Sequence, residues 1–467
     1  METGKPTDPG TKLSGLCTKF QAGTARVGVI GLGYVGLPLA LSSAGRGFLT
    51  TGFDIDPGKI AKLCRGESYI KHIAAAKISE ELERKHFRAT NDFTQLEDMD
   101  AIIICVPTPL DRHREPDLSY INRTVEVVSA HLRSGQLIIL ESTTYPGTTE
   151  QEVLPILEKT MLRCAVLPYT TDGISVTSCE DVEPDFFLAF SPEREDPGNK
   201  EFQTHEVPKV IGGVNGASAL AAQALYQNIF KRTYLVSSAR TAEMEKLLEN
   251  IYRAVNIALV NELKLLSLRM GIDIWEVIEA AKTKPFGFNA FYPGPGLGGH
   301  CIPIDPFYLT WKAREYEFPT RFIELAGEIN TAMPYHVVNH AAAALDERGK
   351  TLHGARVLVL GVAYKKDIDD VRESPALKII ELLGNRGALV AYHDPFVTRL
   401  GKMRKYDLGL ESIPLTTETL REHDCALIVT DHCAVDYDLV VSESSLVVDT
   451  RNATARVKHH RERIVRC

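Results

Sequence analysis

The stretch RVGVIGLGYVG, residues 26–36, decides the fold. RVGVI is a short apolar run ending at glycine, the pattern of a strand buried on both faces. Gly31, Gly33 and Gly36 follow as G-x-G-x-x-G, and an apolar helix is predicted over residues 37–44. Gly31 permits a tight turn. Gly33 lets backbone approach a pyrophosphate. Gly36 allows helix and strand to pack closely, and the helix amino end favours the anion. A second strand, residues 49–54, ends on Asp54, 18 residues beyond Gly36. That is close to the spacing of an acid that binds ribose hydroxyls. A carboxylate there repels a ribose phosphate, which favours NAD over NADP. A bare strand–helix turn, or Asp54 as a helix cap, is the alternative. Lys59 either lies near the adenosine ribose or is solvated.

Further apolar runs extend the pattern: AIIICVP (101–107), QLIILEST (136–143), FLAFSPER (187–194) and KVIGGV (209–214). With helical stretches between them they predict a doubly wound parallel sheet. Residues 241–270 then form a long helical pattern without Pro or Gly, of a length that bridges domains or builds a dimer interface. More helix is predicted over 274–282 and 320–338. A second, smaller α/β sheet opens with ARVLVLGVAYK (355–365) and continues through ALVAYHDP (388–395), CALIVT (425–430) and LVVDTRN (446–452). Gly361 there resembles half a nucleotide fingerprint, which suits a different ligand, such as the nucleotide of a substrate. No internal repeat is evident. The expected organisation is a disordered tail (1–25), an NAD-binding Rossmann domain (26–235), a helical central domain (236–340) and an α/β domain for the second nucleotide (341–467).

Composition bounds the function. A net charge of -8 argues against nucleic acid as a partner. No apolar run is long enough for a membrane span, and the amino terminus lacks an apolar signal core. Nine cysteines without a CxxC pair suggest reduced thiols in a cytosolic setting, and no metal site is expected.

GPGLGGHCIPIDP, residues 294–306, places Cys301 after Gly298 and Gly299 and four residues before Asp305. Glycines allow close backbone approach, Pro303 and Pro306 stiffen the loop, and Asp305 offers a carboxylate. A thiol so placed can trap an aldehyde and permit a second oxidation, although a buried structural thiol is also consistent. Lys246 and Asn250, four apart, share a helix face. A lysine there could steady an oxyanion or sit in an ordinary charged face with Glu243, Glu245 and Glu249. Glu193 and Thr143 follow strand ends, where sites in open α/β sheets lie. A loop cap or salt bridge is the other reading of Glu193.

Taken in order, IGLGYVGLP, STTYPGT, SPER, the helix bearing Lys246 and Asn250, GPGLGGHCIPIDP, GVAYKKDIDDVRES and DTRN resemble the nucleotide-sugar 6-dehydrogenase family over residues 26–452. The resemblance implies an NAD domain, a long helical connection that builds a homodimer, and a UDP-binding domain. It implies Cys301 as nucleophile, Lys246 and Asp305 at the alcohol proton and oxyanion, Asn250 as their polar partner, and Glu193 and Thr143 at the water. Tyr34, Val35, Thr108 and Arg372 join the glycines, Asp54, Lys59 and Thr143 as expected cofactor contacts. Arg194, Tyr292, Gly298, Lys365 and Arg451 join Glu193, Lys246 and Asn250 as expected substrate contacts, with Arg451 reaching across the dimer. Two departures are informative. Pro197, beside Glu195 and Asp196, stands where UDP-glucose members carry a second glutamate, and His300 stands where they tend to have serine. Both resemble the branch that oxidises UDP-N-acetylhexosamines, with UDP-N-acetyl-D-glucosamine as the first expectation and the mannosamine epimer or UDP-glucose as alternatives. The implied reaction is a four-electron oxidation at the sixth carbon, serving surface polysaccharide synthesis. A single-step NAD alcohol dehydrogenase and a non-catalytic sugar-nucleotide sensor are the rival readings.

Overall fold

The computed structural model describes residues 11–70, 73–111, 113–164, 184–194, 204–299, 302–403 and 405–467. His300, Cys301, Glu195, Asp196 and Pro197 fall outside the described residues. The chain divides into two compact units, Met1–Glu249 and Asn250–Cys467.

The first unit is built on an eight-stranded sheet. Its strands are β1 (Arg26–Ile30), β2 (Leu49–Phe53), β3 (Phe87–Thr90), β4 (Ala101–Ile104), β5 (Leu137–Leu140), β6 (Phe187–Phe190), β7 (Lys209–Gly213) and β8 (Thr233–Leu235). They run in the order β3-β2-β1-β4-β5-β6-β7-β8. Strand β4 (AIII), β5 (LIIL) and β6 (FLAF) are buried at every position, because helices cover both faces of the sheet. The expected parallel sheet holds except at one edge, where β7 runs antiparallel to β6. Strands β3 and β8 were not expected: neither is a continuous apolar run.

The amino-terminal tail is a correction. Lys12–Gln21 is a helix, capped by Thr11, whose hydroxyl accepts the Ser14 N–H at 3.1 Å. Leu16 and Phe20 are buried in the core of the sheet domain. Lys12 pairs with Asp185 and Lys19 with Asp100, each at 2.8 Å. Two apolar residues four apart were too short a signal against Gly- and Thr-rich surroundings.

The long helix is Ala239–Met270, and the boundary between the two units falls within it. The second unit continues with the helices Ile274–Lys282, Asp305–Ala313 and Arg321–Asp346. The last outruns its predicted end at 338 and accommodates a buried Pro334 in its interior. Its sheet contains β9 (Arg356–Leu360), β10 (Leu389–His393), β13 (Cys425–Ile428), β14 (Val447–Asp449) and β15 (Ile464–Arg466), all parallel, in the order β10-β9-β13-β14-β15. A hairpin of β11 (Arg399–Lys402) and β12 (Asp407–Glu411) forms a separate two-stranded sheet beside β10.

The two sheets repeat one device, of which the sequence shows only the glycine of the second copy. Gly31 has φ +91°, and a Cβ on it would meet the Cys105 carbonyl at 2.5 Å; Gly361 has φ +82°, and its Cβ would meet the Thr430 carbonyl at 2.4 Å. In the first sheet Asp54 accepts the Leu32 N–H at 2.9 Å. In the second, Asp394 accepts the Val362 and Ala363 N–H groups at 2.7 and 3.1 Å. Each turn therefore needs its glycine for shape and an aspartate from the next strand to hold it.

Candidate active site

The cofactor turn comes from β1 and the helix Gly36–Gly45. A Cβ on Gly36 would lie 1.9 Å from the Gly31 carbonyl, so only glycine closes this turn. Around Gly33, by contrast, nothing lies within 4 Å. The tight glycines set the shape, and the middle one leaves an open approach that fits a pyrophosphate. The first helical turn carries no acidic residue and Val35 offers no side-chain cap, so the amino end is suited to an anion. Asp54 is buried; Oδ2 accepts from Leu32 and from Lys59 Nζ at 3.1 Å, and Oδ1 accepts the Asp56 N–H at 3.0 Å. The acid thus braces the glycine turn, and Lys59 is its ion partner rather than a solvated lysine. Thr108 is buried after β4.

In the same unit, the segments carrying Thr143 and Glu193 leave the adjacent strands β5 and β6. Lys246 is buried; its ammonium donates to the Glu193 carbonyl at 2.6 Å and lies 3.7 Å from the Glu193 carboxylate. The ordinary charged face is therefore excluded for Lys246. Arg194 is bound by Glu249 through Nε at 3.1 Å and donates to the Pro208 carbonyl at 2.9 Å. Burial pushes the Glu245 carboxyl up, and neighbouring Glu249 adds to the shift.

Sequence reading missed Glu243. It is fully buried and accepts from Gly147 N–H (2.5 Å), Thr149 N–H (2.8 Å) and the Thr149 hydroxyl (2.7 Å), which ties the STTYPGT loop to the long helix. Burial pushes its carboxyl up to about 7, against the opposing effect of these donors. Its sequence signal, an acid between Ala242 and Met244 with Glu245 close by, looked like a solvated face.

The second unit brings together Asn250 and Asp305. The Asn250 amide donates to Asp305 Oδ2 at 2.6 Å, and Asp305, 2% exposed, opens the helix Asp305–Ala313 with Pro306 in its first turn. The glycine loop ahead of the cysteine packs tightly. A Cβ on Gly298 would lie 2.6 Å from Tyr364 Cβ, and Gly299 (φ +88°) donates its N–H to the Arg372 carbonyl at 3.0 Å. Arg372 turns its guanidinium onto Asp370, with Nη2 to Oδ2 at 2.6 Å. Arg451 lies against Gly294 of its own chain, 2.5 Å from where a Cβ would stand, and donates to the Val429 carbonyl at 3.1 Å. Tyr292 stacks on Trp275 and donates its hydroxyl to Glu279 at 2.6 Å. Lys365 follows the Gly361 turn. Two asparagines went unnoticed: Asn261 accepts the Gly294 N–H at 2.9 Å and donates to Asn330 at 2.9 Å, both buried.

No group of three or more His, Cys, Asp or Glu positioned to hold a metal occurs among the described residues. No helix among them is long and apolar enough to cross a membrane.

A glycine turn fitted to a dinucleotide, a second sheet with the same turn, and buried lysine, asparagine and carboxylates define a dinucleotide-dependent α/β oxidoreductase. Comparison with known proteins gives the class its family. Residues 25–230, 240–332 and 358–456 match the NAD binding, central and UDP binding domains of the UDP-glucose/GDP-mannose dehydrogenase family, to which this chain belongs. It is similar to the UDP-N-acetyl-D-glucosamine 6-dehydrogenase of Pseudomonas aeruginosa, 35% identical over 87% of this chain and 90% of that protein. It is equally similar to the UDP-N-acetyl-D-mannosamine dehydrogenase of Pyrococcus horikoshii, 36% identical over 84% and 89%. A solved UDP-D-ManNAc dehydrogenase from Pyrococcus horikoshii superposes with a TM-score of 0.80 at 33% identity, covering 93% of this chain and 96% of that one. The protein is an NAD-dependent UDP-sugar dehydrogenase.

Proposed function

We propose that the chain oxidises the C6 hydroxyl of a UDP-N-acetylhexosamine, UDP-N-acetyl-D-glucosamine first, to the uronic acid in two steps through Cys301, for surface polysaccharide synthesis. The observation that carries this reading is the Asn250–Asp305 hydrogen bond of 2.6 Å, which holds a buried carboxylate four residues beyond Cys301. The glycine turn of Gly31, Gly33 and Gly36 would hold NAD, which would supply the hydride acceptor for each oxidation. Asp305, acting through water, assists loss of the hydroxyl proton. The Cys301 thiolate adds to the aldehyde carbon, and Lys246 and Asn250 steady the oxyanion. After the second oxidation leaves a thioester, Glu193 and Thr143 position the water that hydrolyses it. Lys59 and Asp54 serve the cofactor; Arg194, Tyr292, Gly298, Lys365, Arg372 and Arg451 serve the substrate and cofactor pockets.

The mannosamine epimer is the second reading, favoured by the Pyrococcus horikoshii relative. Incubation with NAD and each of UDP-N-acetylglucosamine, UDP-N-acetylmannosamine and UDP-glucose separates them by rate. Two NADH per sugar support the two-step reaction; one per sugar would indicate a simple alcohol dehydrogenase, and none a sensor. Cys301→Ala should form no acid while still binding NAD. Full acid production by that variant would sink the covalent step.

A homodimer belongs to the same proposal. Tyr252, Leu259, Leu263, Leu266 and Met270 are all exposed on the long helix, spaced by 7, 4, 3 and 4 residues, one apolar face that a second copy would bury. Leu259→Glu with Leu263→Glu should yield a monomer by light scattering.

A further inference from the structure

Two successive carbonyls of the SPER segment are each held by a buried lysine. Lys246 donates to the Glu193 carbonyl at 2.6 Å, and Lys209 donates to the Pro192 carbonyl at 3.1 Å. Lys209 lies on β7, with a side chain 5% exposed, and its ammonium pairs with Glu141 at 2.8 Å; the Glu141 side chain is 1% exposed. The Tyr226 hydroxyl donates to the same Glu141 oxygen, and the Lys209 ammonium stands 5.1 Å from the Tyr226 ring centroid and 5.3 Å from that of Phe230. Glu141 directly follows β5 and stands two residues before Thr143; Pro192 stands one residue before Glu193. A buried charge pair is costly unless its geometry is well satisfied, and this one is satisfied on three sides. It joins the two strand ends that bear the water-positioning residues.

Beside the pair is a cleft with about 20 Å³ of space, lined by Val35 of the glycine turn, Glu141, Glu193, Arg194 and Lys209 among others. That volume admits a single water, and several polar groups border it.

We infer that Lys209, held by Glu141 and Tyr226, is a positioning residue that sets Glu193 at this cleft for its proposed part in hydrolysis of the thioester. The inference rests on the proposed two-step reaction. In the step, the water oxygen bonds to the acyl carbon as its proton passes to Glu193. The C–S bond breaks, the carboxylic acid leaves, and the Cys301 thiolate is restored. No oxidant is consumed. Lys209 and Glu141 act through Glu193.

The test is the double variant Glu141→Gln/Lys209→Met, which removes both charges together so that neither is left buried alone, beside the conservative Lys209→Arg. The enzyme is mixed with NAD and UDP-N-acetylglucosamine, or whichever sugar of the panel is turned over. The double variant should release its first two NADH per active site near the wild-type rate, then turn over at least tenfold more slowly with KM for NAD unchanged. Mass spectrometry should find a sugar acyl adduct on Cys301. Lys209→Arg, which still donates to Glu141 and Pro192, should restore most of the turnover. A double variant that keeps wild-type turnover without adduct, or that slows the burst and the steady state equally, overturns the inference. Failure of the underlying reaction reads differently: wild type would then yield other than two NADH per sugar, or Cys301→Ala would still make acid.

Discussion

Asn250 and Asp305, 55 residues apart in the chain, share a hydrogen bond of 2.6 Å from the Asn250 amide to Asp305 Oδ2. The donor fixes the orientation of a nearly inaccessible carboxylate. Asp305→Asn keeps the shape and removes the base. It should lower kcat by about a hundredfold to ten-thousandfold, the range for loss of a positioned acid–base group. Asn250→Ala should cost less, roughly tenfold to a hundredfold, because the carboxylate survives without its guide. NADH formation at saturating sugar measures both; an Asp305→Asn enzyme with wild-type kcat would remove Asp305 from the mechanism.

Gly298 cannot carry a side chain without moving the loop that leads to Cys301, since its Cβ would meet Tyr364 Cβ at 2.6 Å. Gly298→Ala should lower kcat/KM about a hundredfold, the effect of roughly 1 Å of misplacement. Binding of NAD, a property of the other unit, should not change. Adding Tyr364→Gly removes the opposing atom and should recover part of the loss; no recovery would show that the glycine serves something other than this contact.

Asp54 both braces the cofactor turn and pairs with Lys59. Asp54→Ser should raise the KM for NAD by roughly tenfold to a hundredfold, as expected for losing charge-assisted hydrogen bonds of about 1.5–3 kcal/mol. It also leaves Lys59 without its anion, so NADP should improve relative to NAD. Steady-state kinetics with both cofactors reads the ratio, and an unchanged preference would count against a ribose role.

Glu243 has its carboxyl raised by burial from the ordinary 4.5 to about 7. The folded chain therefore binds this proton more tightly than the unfolded chain does. Its contribution to stability is fully present below pH 4.5 and is lost as pH rises to about 7. The difference in unfolding free energy between wild type and Glu243→Gln should fall across that window with a slope of at most about 1.4 kcal/mol per pH unit, then flatten. Urea titrations between pH 5 and pH 8 measure it, and a difference constant with pH would mean that Glu243 is ionised throughout.

Much of this protein is determined by local sequence. Continuous apolar runs made β1, β4, β5 and β9 legible, because a strand buried on both faces has no polar alternation to confuse it. The glycine spacing and Asp54 marked the cofactor turn, because its shape depends on residues adjacent in the chain. A Pro- and Gly-free stretch showed the long helix. Tertiary structure decided what distant segments share. Nothing local distinguishes Glu141, Lys209 and Glu243 from solvated charges; only the closing of the sheet removes them from water and forces each to find a partner. The amino-terminal helix is settled in the same way, by a groove that accepts Leu16 and Phe20. The repeated glycine–aspartate turn became visible only when Asp394 was brought to Val362 by a strand neighbour 32 residues away. Burial and pairing are properties of the assembled fold, and those are what turn common residue types into a site.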